Sequence, residues 1–330
     1  MKERKGRFAP TPSGPMHIGN ASTALAAWLQ VRSQGGSFVL RIEDIDVTRC
    51  QPRFESLILE DLRWLGLDWD EGPDVGGPHG PYRQSDRTRL YEEAHRRLVE
   101  RNLLYPCYCS RSDLRRLAQA PHGISSEGPI YPGTCRHLSD AERNARAKRK
   151  TPSLRFAIAS GQAVDFYDLV YGPQHFTPAT MGDFIVRRAD GVFSYQLAVV
   201  VDDAAMGITD VLRGYDLLDS TPRQILLYQT LGLAVPRFTH VPLLVGPDGE
   251  RLSKRHGSIA ISDLREAGVK PERVIGAIAC ELGLVDRPDP VSARDLIPEF
   301  DEARITKRDR TNIFSPLPTP PAASDTMGSN

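Results

Sequence analysis

The sequence predicts an α/β protein with a parallel sheet, and two stretches near its start carry that prediction. A short strand candidate, "GRFAP", leads into the helical pattern "IGNASTALAAWLQVRSQ", in which Leu25, Trp28 and Leu29 recur on one side. Glycines at 35–36 end this helix, and "SFVLRIEDID" follows as a second strand. A strand, a crossover helix and a second strand form a βαβ unit with parallel strands, and ligands bind beyond their carboxyl ends.

Composition excludes several classes of protein. Hydrophobic residues make up 40% and charged residues 25% of the 330 residues, which is typical of a globular chain rather than a disordered or fibrous one. No apolar run approaches the roughly 18–20 residues that span a bilayer, and "MKERKGRFAP" lacks the apolar core of a signal peptide. We therefore expect a cytoplasmic protein without a membrane partner. The 42 basic and 42 acidic residues balance, so local patches must hold any polyanion.

The remaining elements follow in order. Helices are predicted in "FESLILEDLRWLGLDW", in "SDRTRLYEEAHRRLVERNLL" and, with basic character, around residues 141–150. Strands are predicted in "FIVRRADGVFSYQLAVVVDD", with a hairpin turn at 189–191, and in "ITDVLRG". Ser220 and Pro222 are start signals for a helix that reaches Leu231, and further helices are predicted near Ser262 and Pro271.

Changes in composition predict the domain organisation. The stretch 105–150 is rich in Gly, Pro and Cys and has no clear periodicity, which favours a small inserted module, and the final stretch has a disordered composition. The predicted division is a first half of a Rossmann-like domain at 1–104, the inserted module at 105–150, the second half at 151–258, a short helical region at 259–314 and a disordered tail at 315–330.

Two motifs suit phosphate binding. In "PMHIGN", His17 and Gly19 stand at a predicted helix start, where unpaired N–H groups favour anions and a glycine lets a ligand approach the backbone. In "RLSKRHGS", the loop after a strand carries Lys254 among other cations and can grip a pyrophosphate. Taken alone, the first motif could be a surface histidine before an ordinary helix, and the second a solvated basic loop.

Together these motifs resemble the two signatures of class I aminoacyl-tRNA synthetases. "RFAPTPSGPMHIG", "RIEDID" and "RLSKRHG" resemble the glutamyl branch, and the resemblance runs from about Arg7 to Gly283. It implies a Rossmann-like catalytic domain that activates glutamate with ATP and Mg²⁺ and transfers it to RNA. It also departs from the family pattern at Asn20 and Arg251. The residues implied in catalysis are His17 and Lys254, which stabilises the departing pyrophosphate, and those implied in ATP binding are His17, Gly19, Asn20 and Lys254.

A glutamate pocket needs cations for two carboxylates and an anion for the ammonium group. Arg7 and Arg213 supply guanidinium groups, Glu43 supplies a carboxylate, and the Tyr195 hydroxyl can close the pocket. Without the motifs, a surface ion pair would be the favoured explanation of Arg7 or Arg213, and a helix cap that of Glu43. The resemblance implies that glutamate is bound by Arg7, Phe8, Ala9, Pro10, Thr11, Glu43, Tyr195 and Arg213.

The length of chain after the lysine motif predicts the RNA. Only residues 259–330 follow it, whereas a full-length member carries a large anticodon-reading domain there. The chain thus resembles a shortened branch that attaches glutamate to queuosine in tRNA(Asp). The implied partners are L-glutamate, ATP and queuosine-containing tRNA(Asp), and we expect a monomer. The basic stretch "RNARAKRKTPSLR" is either a phosphate-contacting surface or a solvated helix.

Clustered cysteines predict one structural zinc. Five cysteines argue against a disulfide framework, and Cys107, Cys109 and Cys135 lie close enough in sequence to supply three thiolates to a four-coordinate site. The fourth ligand is either His137 or Tyr131, and we select Tyr131 because "IYPGTCR" resembles the shortened branch. Three buried free thiols are the alternative.

Three other functions fit parts of the sequence. A truncated synthetase would charge tRNA(Glu) at its terminal adenosine. Another nucleotidyltransferase of the same superfamily would share both signature motifs without needing the pocket of Arg7, Glu43, Tyr195 and Arg213. A zinc-containing RNA-binding or glutamate-sensing module would show no ATP–pyrophosphate exchange.

Overall fold

The computed structural model describes residues 3–110, 112–114, 124–125, 128–244 and 259–307. The lysine motif with Lys254, and the predicted tail at 315–330, lie outside these residues. The strands are β1 (Lys5–Phe8), β2 (Ser37–Leu40), β3 (Leu104–Cys107), β4 (Ile124–Ser125), β5 (Gly128–Pro129), β6 (Ser153–Phe156), β7 (Val164–Asp168), β8 (Gly172–Phe176), β9 (Phe184–Arg187), β10 (Asp210–Gly214) and β11 (Arg237–Val241). The helices are α1 (Ile18–Arg32), α2 (Pro52–Trp64), α3 (Thr88–Glu100), α4 (Asp140–Ala147), α5 (Pro178–Met181), α6 (Tyr195–Ala205), α7 (Thr221–Leu231), α8 (Ile261–Glu266) and α9 (Pro271–Leu282).

The largest sheet has the order β2-β1-β10-β11-β7-β8. Its first five strands are parallel, and β8 closes the edge as the antiparallel partner of β7. The predicted parallel pairing of β1 and β2 is confirmed, with Arg7 opposite Val39. Because the carboxyl ends of parallel strands meet at one edge, the segments that follow β1, β2, β10 and β11 converge there.

Helix α1 is buried on nearly every side rather than on the single side that the sequence predicts. Ala24, Leu25, Ala26, Trp28 and Leu29 are all buried, because α1 packs between the sheet and α9. Its alanines let these neighbours approach closely. A second core on the other face of the sheet joins apolar side chains of α3, α6 and α7.

The prediction of a strand at "YQLAVVVDD" is wrong, because this stretch is helix α6. Val199, Val200 and Val201 are all buried within the second core, so the helix has no polar face to give it a helical period. The preceding hairpin turn is confirmed, since the amide of Arg188 donates to the carbonyl of Val192 at 2.8 Å. The β7–β8 hairpin carries a second turn that the sequence analysis did not predict.

A smaller antiparallel sheet, β3-β6-β9, lies beside the cysteine-bearing segment. The basic helix near 141–150 is confirmed as α4, whose capping box joins Ser139 and Glu142. The helices predicted near Ser262 and Pro271 are confirmed as α8 and α9. Across the described part of the chain, none of the helices is long and apolar enough to cross a bilayer.

Candidate active site

Arg7 and Arg41 share one carboxylate at the carboxyl edge of the sheet. Arg7 is 4% exposed, and its Nε lies 3.3 Å from both oxygens of Asp203, which α6 contributes. Nη1 of Arg41 lies 2.6 Å from Asp203 Oδ1. Nη1 of Arg7 donates to the Leu212 carbonyl, whereas Nη2 makes no hydrogen bond with the described residues and is not sealed from solvent. Arg7 therefore has donors left for a carboxylate ligand.

Glu43 follows β2 and faces the same cluster. Its Oε1 accepts from Nη2 of Arg41 at 3.1 Å, and its amide donates to the Pro10 carbonyl at 2.9 Å. That backbone bond holds the segment Phe8–Thr11 beside Glu43. Burial raises the pKa of Glu43, and the charges of Arg41 and Arg7 oppose the rise. A carboxylate so placed is suited to an ammonium group.

Arg213, the second predicted cation, is held from all sides. It lies in β10, is 4% exposed, and donates through Nη1 to the hydroxyl of Tyr195 at 3.2 Å. Tyr195 begins α6, so the structure brings these two predicted residues together. The other acceptors of the guanidinium are His240 Nε2 at 3.1 Å, Gln224 Oε1 at 2.8 Å, the Leu217 carbonyl at 3.2 Å and Thr221 Oγ1 at 2.8 Å.

His240 in β11 is fully buried behind Arg213 and connects it to β7. Its Nδ1 lies 2.7 Å from Oδ2 of Asp168. Burial lowers the pKa of His240 to about 4, opposed by the hydrogen bond that Nδ1 donates to Asp168 and helped by the Arg213 charge. The sequence analysis missed His240, Asp168, Arg41 and Asp203. Only the acidic pair that ends the apolar run in "AVVVDD", and the arginine inside "RIEDID", gave any signal.

The first signature motif stands at the amino end of α1. His17 is the residue before the helix, and the first turn carries no acidic side chain, which leaves the positive end of the helix for an anion. A Cβ placed on Gly19 would come no closer than 4.0 Å to Leu244, so the space over the backbone is open. Asn20 lies in the same turn, whereas Lys254 and Arg251 fall outside the described residues.

Backbone bonds tie this motif to the chain that follows the lysine motif. His17 forms an isolated antiparallel bridge with Ala260, and the amide of Ile261 donates to the Met16 carbonyl at 2.9 Å. The described chain that resumes at residue 259 is thus joined to the first signature motif, next to the predicted phosphate site.

A cavity of about 480 Å³ opens one residue beyond Glu43, at Asp44. The amide of Gln51 donates to the Pro12 carbonyl at 3.0 Å, so the segment that follows Thr11 also forms part of its wall. The cavity is lined by Pro12, Asp44, Val47, Cys50, Gln51, Pro52, Glu55, Ser56 and Arg83. An open cavity therefore lies beside the segments that follow β1 and β2.

Three cysteines converge in the inserted module. The sulfur atoms of Cys107, Cys109 and Cys135 lie within 4.8 Å of one another. The hydroxyl of Tyr131 lies 3.4 Å from the Cys107 sulfur and 3.9 Å from that of Cys109. His137 is exposed and is not part of this group. Of the two candidates for a fourth ligand, only Tyr131 lies at the cluster.

Basic side chains lie around the cysteine cluster, which suits side chains that bind a metal in their anionic form. Nη1 of Arg146 lies 3.9 Å from the Cys135 sulfur, and the guanidinium of Arg155 lies 3.8 Å from the centre of the Tyr131 ring. The basic side chains of Arg146 and Arg155 thus lie beside the atoms that would ligate a metal. Arg155, which the sequence analysis grouped with the basic surface, is buried and donates to the Asp183 carbonyl at 2.8 Å.

Comparisons with known proteins identify the family of this chain. Residues 4–305 match the family "tRNA synthetases class I (E and Q), catalytic domain". The glutamyl-Q tRNA(Asp) synthetase of Symbiobacterium thermophilum is 62% identical, over 92% of this chain and 94% of that protein. The enzyme of the same name from Nitratidesulfovibrio vulgaris is 46% identical, over 96% of this chain and 95% of that protein.

Glutamyl-tRNA synthetases are similar over a smaller share of their own length. The glutamate–tRNA ligase of Symbiobacterium thermophilum is 44% identical, over 91% of this chain but 63% of that protein. The crystal structure of the glutamate–tRNA synthetase from Elizabethkingia anophelis superposes with a TM-score of 0.81 at 30% identity, covering 94% of this chain and 68% of that chain. By its sequence, its fold and its close relatives, this chain belongs to the class I tRNA synthetases, in the glutamyl-Q tRNA(Asp) synthetase family.

Proposed function

We propose that this enzyme activates L-glutamate with ATP, releasing pyrophosphate, and transfers the glutamate to queuosine in the anticodon of tRNA(Asp). One observation carries the proposal: this chain is 62% identical to the glutamyl-Q tRNA(Asp) synthetase of Symbiobacterium thermophilum, over 94% of that protein. That similarity covers nearly the whole of both chains, which supports a shared activity.

The charges in the pocket fit glutamate. Nη2 of Arg7 is open to one carboxylate, the Tyr195 hydroxyl with Arg213 behind it is suited to the other, and Glu43 faces the ammonium group. Phe8, Ala9, Pro10 and Thr11 would form the backbone wall of this pocket. An amino acid with a neutral side chain would leave one of the buried guanidinium groups without its anion, which disfavours it.

ATP would lie at the start of α1. The helix end and His17 would bind its phosphates, Gly19 and Asn20 would line the approach, and Lys254 would stabilise the departing pyrophosphate. Mg²⁺ would accompany the nucleotide and offset part of its charge. His17 and Lys254 are the catalytic residues in this scheme.

The acceptor would enter through the cavity beside Glu43. A hydroxyl of the cyclopentene-diol in queuosine would attack the carbonyl carbon of the adenylate, forming an ester as AMP leaves. The enzyme should therefore form glutamyl-adenylate without any tRNA, glutamylate queuosine-containing tRNA(Asp), and leave both unmodified tRNA(Asp) and tRNA(Glu) uncharged.

The test locates the added glutamate by nuclease fragmentation and mass spectrometry. Glutamate on the anticodon fragment of queuosine-containing tRNA(Asp) supports the proposal. Glutamate on a terminal adenosine overturns it in favour of a truncated synthetase that charges tRNA(Glu). Absence of glutamate-dependent ATP–pyrophosphate exchange overturns it in favour of a binding module.

The proposal also includes a structural zinc held by Cys107, Cys109, Cys135 and Tyr131, because four protein ligands leave no open position for a substrate. When bound, the metal would tie together the two ends of the inserted module. The proposal further includes a monomer in the cytoplasm, and the absence of a disulfide among the described cysteines is consistent with a reducing compartment.

A further inference from the structure

We propose that His240 and Asp168 are positioning residues that orient Arg213 for glutamate, by fixing the tautomer of His240 that accepts a hydrogen bond from the guanidinium. The inference rests on the proposed glutamate pocket and concerns two residues to which the resemblance assigns no role. Neither residue is expected to touch the substrate, because both are fully buried behind Arg213.

Asp168 is fixed by its own backbone. It ends β7, and its Oδ1 accepts from the amides of Val170 at 3.0 Å and Tyr171 at 2.8 Å. Oδ2 is thereby directed to His240 Nδ1, 2.7 Å away. The loop that reverses the chain into β8 therefore sets the direction of the carboxylate.

The carboxylate determines where the proton of His240 lies. A carboxylate only accepts, so Nδ1 must carry the hydrogen, and in the neutral ring Nε2 is then an acceptor. Nε of Arg213 lies 3.1 Å from this Nε2 and donates to it. The chain of donors thus runs in one direction, from Arg213 to His240 to Asp168.

The charges around His240 keep it neutral. The charged groups that act on the ring are Asp168, Arg213 and Arg7. A protonated ring would place a cation against the Arg213 guanidinium and remove the acceptor that it needs. Burial and the Arg213 charge lower the pKa of His240 by more than Asp168 raises it. The resulting pKa of about 4 keeps His240 neutral at any working pH near 7.

The orientation of Arg213 matters because one terminal nitrogen serves the pocket. Nη1 supports the Tyr195 hydroxyl, while Nη2 bonds to Thr221 and to the Leu217 carbonyl. His240 fixes the Nε edge of the same planar group. Losing that acceptor, or turning it into a donor, would rotate the plane and displace the support of Tyr195.

Asp168→Asn tests the relay with a nearly isosteric change. The single amide oxygen is retained by the amides of Val170 and Tyr171, so the NH₂ group faces His240. Nδ1 must then accept, Nε2 must carry the hydrogen, and an N–H faces the N–H of Arg213. The logic is that of an Asp→Asn change beside a catalytic histidine, which enforces the wrong tautomer.

The measurement is glutamate-dependent ATP–pyrophosphate exchange. We expect the KM for glutamate to rise about tenfold or more in Asp168→Asn, while the KM for ATP stays within about twofold. Asp165→Asn is the matched control, because Asp165 pairs with His175 at 2.6 Å on the exposed face of the same hairpin and should change neither constant. His240→Gln, which can still accept, should bind glutamate better than His240→Leu.

Two outcomes overturn the proposal. One is a lower Tm for Asp168→Asn with an unchanged KM for glutamate, since that describes a purely structural pair. The other is an equal rise in both KM values, which describes general distortion. If His240→Leu does not fold, the KM values for glutamate of Asp168→Asn and His240→Gln still test the proposal. Failure of the proposed function is distinct, because the wild-type protein itself would then show no exchange or would label a terminal adenosine.

Discussion

Asp203 Oδ1 lies 2.6 Å from Nη1 of Arg41, and both side chains are sealed from solvent beneath the candidate glutamate pocket. The same carboxylate pairs with Arg7. Among the described residues Asp203 is the only carboxylate that pairs with Arg7, so its removal leaves a buried charge without compensation, and the cost falls on the fold as well as on the pocket.

Asp203→Asn is therefore expected to lower the free energy of unfolding by about 3–5 kcal/mol. Chemical denaturation measures this directly. Asp190→Asn is the control, because Asp190 pairs with Arg188 where both side chains are partly exposed, and a change within about 0.5 kcal/mol is expected there. Equal changes in the free energy of unfolding for the two substitutions would show that the buried ion pairs of Asp203 stabilise the fold no more than an exposed pair does.

The contribution of His240 to the free energy of unfolding should fall as pH drops from about 6.5 towards 4. The folded-state pKa is about 4 and the ordinary value is 6.5, so in this range the unfolded chain binds a proton that the folded chain does not. The contribution of His240 to the free energy of unfolding is fully present above pH 6.5. It is lost below the folded-state pKa of His240, and its total is roughly 3 kcal/mol.

Denaturation at several pH values checks this expectation. His240→Gln should flatten the slope between pH 4 and 6.5, since the variant has no group there to titrate. Burial alone would raise the pKa of Asp203, but the charges of Arg7 and Arg41 hold that pKa below its usual range. The stabilisation that the Asp203 carboxylate provides is therefore lost only at still lower pH. An unchanged slope in His240→Gln would assign the pH dependence to other groups.

Lys254→Ala should slow glutamyl-adenylate formation by about 100- to 1000-fold, because one preorganised donor to developing charge is worth about 2.7–4 kcal/mol. ATP–pyrophosphate exchange is the measurement, and an unaltered Tm shows that the fold is intact. Lys270→Ala, at an exposed lysine before α9, should have no effect. A normal exchange rate in Lys254→Ala would remove the role assigned to this residue.

One zinc per chain is expected in protein purified without added metal, as measured by elemental analysis. Tyr131→Phe should weaken zinc retention during chelation, whereas His137→Ala should not, because only the Tyr131 hydroxyl lies at the sulfur atoms. Loss of zinc should lower the Tm. Metal-free protein with fully titratable thiols would contradict the site. If His137→Ala lost zinc more readily than Tyr131→Phe, His137 would be the fourth ligand.

Local patterns were enough to predict part of the site. The β1–α1–β2 unit, the position of His17 at a helix start and the clustering of Cys107, Cys109 and Cys135 all follow from neighbours in sequence. Tyr131 was chosen on a resemblance, and the structure brings its hydroxyl to the sulfur atoms.

The partners of the pocket residues could not be predicted in the same way. The sequence pattern places Asp203 at the end of a strand, because the apolar run that precedes it in α6 has no helical period. His240 and Asp168 lie 72 positions apart and meet only when β11 pairs with β7. Buried polar pairs of this kind are created by the register between distant strands, which no local window contains.

The bridge between His17 and Ala260 has a consequence for biosynthesis. Ribosomes extend a chain at about 5–20 residues per second, so Ile261 is made roughly 10–50 s after Met16, to whose carbonyl its amide binds. During that interval the first strands and α1 can form, but the proposed ATP site lacks one of its sides. We therefore expect the proposed site to be complete only when nearly all of the described fold has left the ribosome.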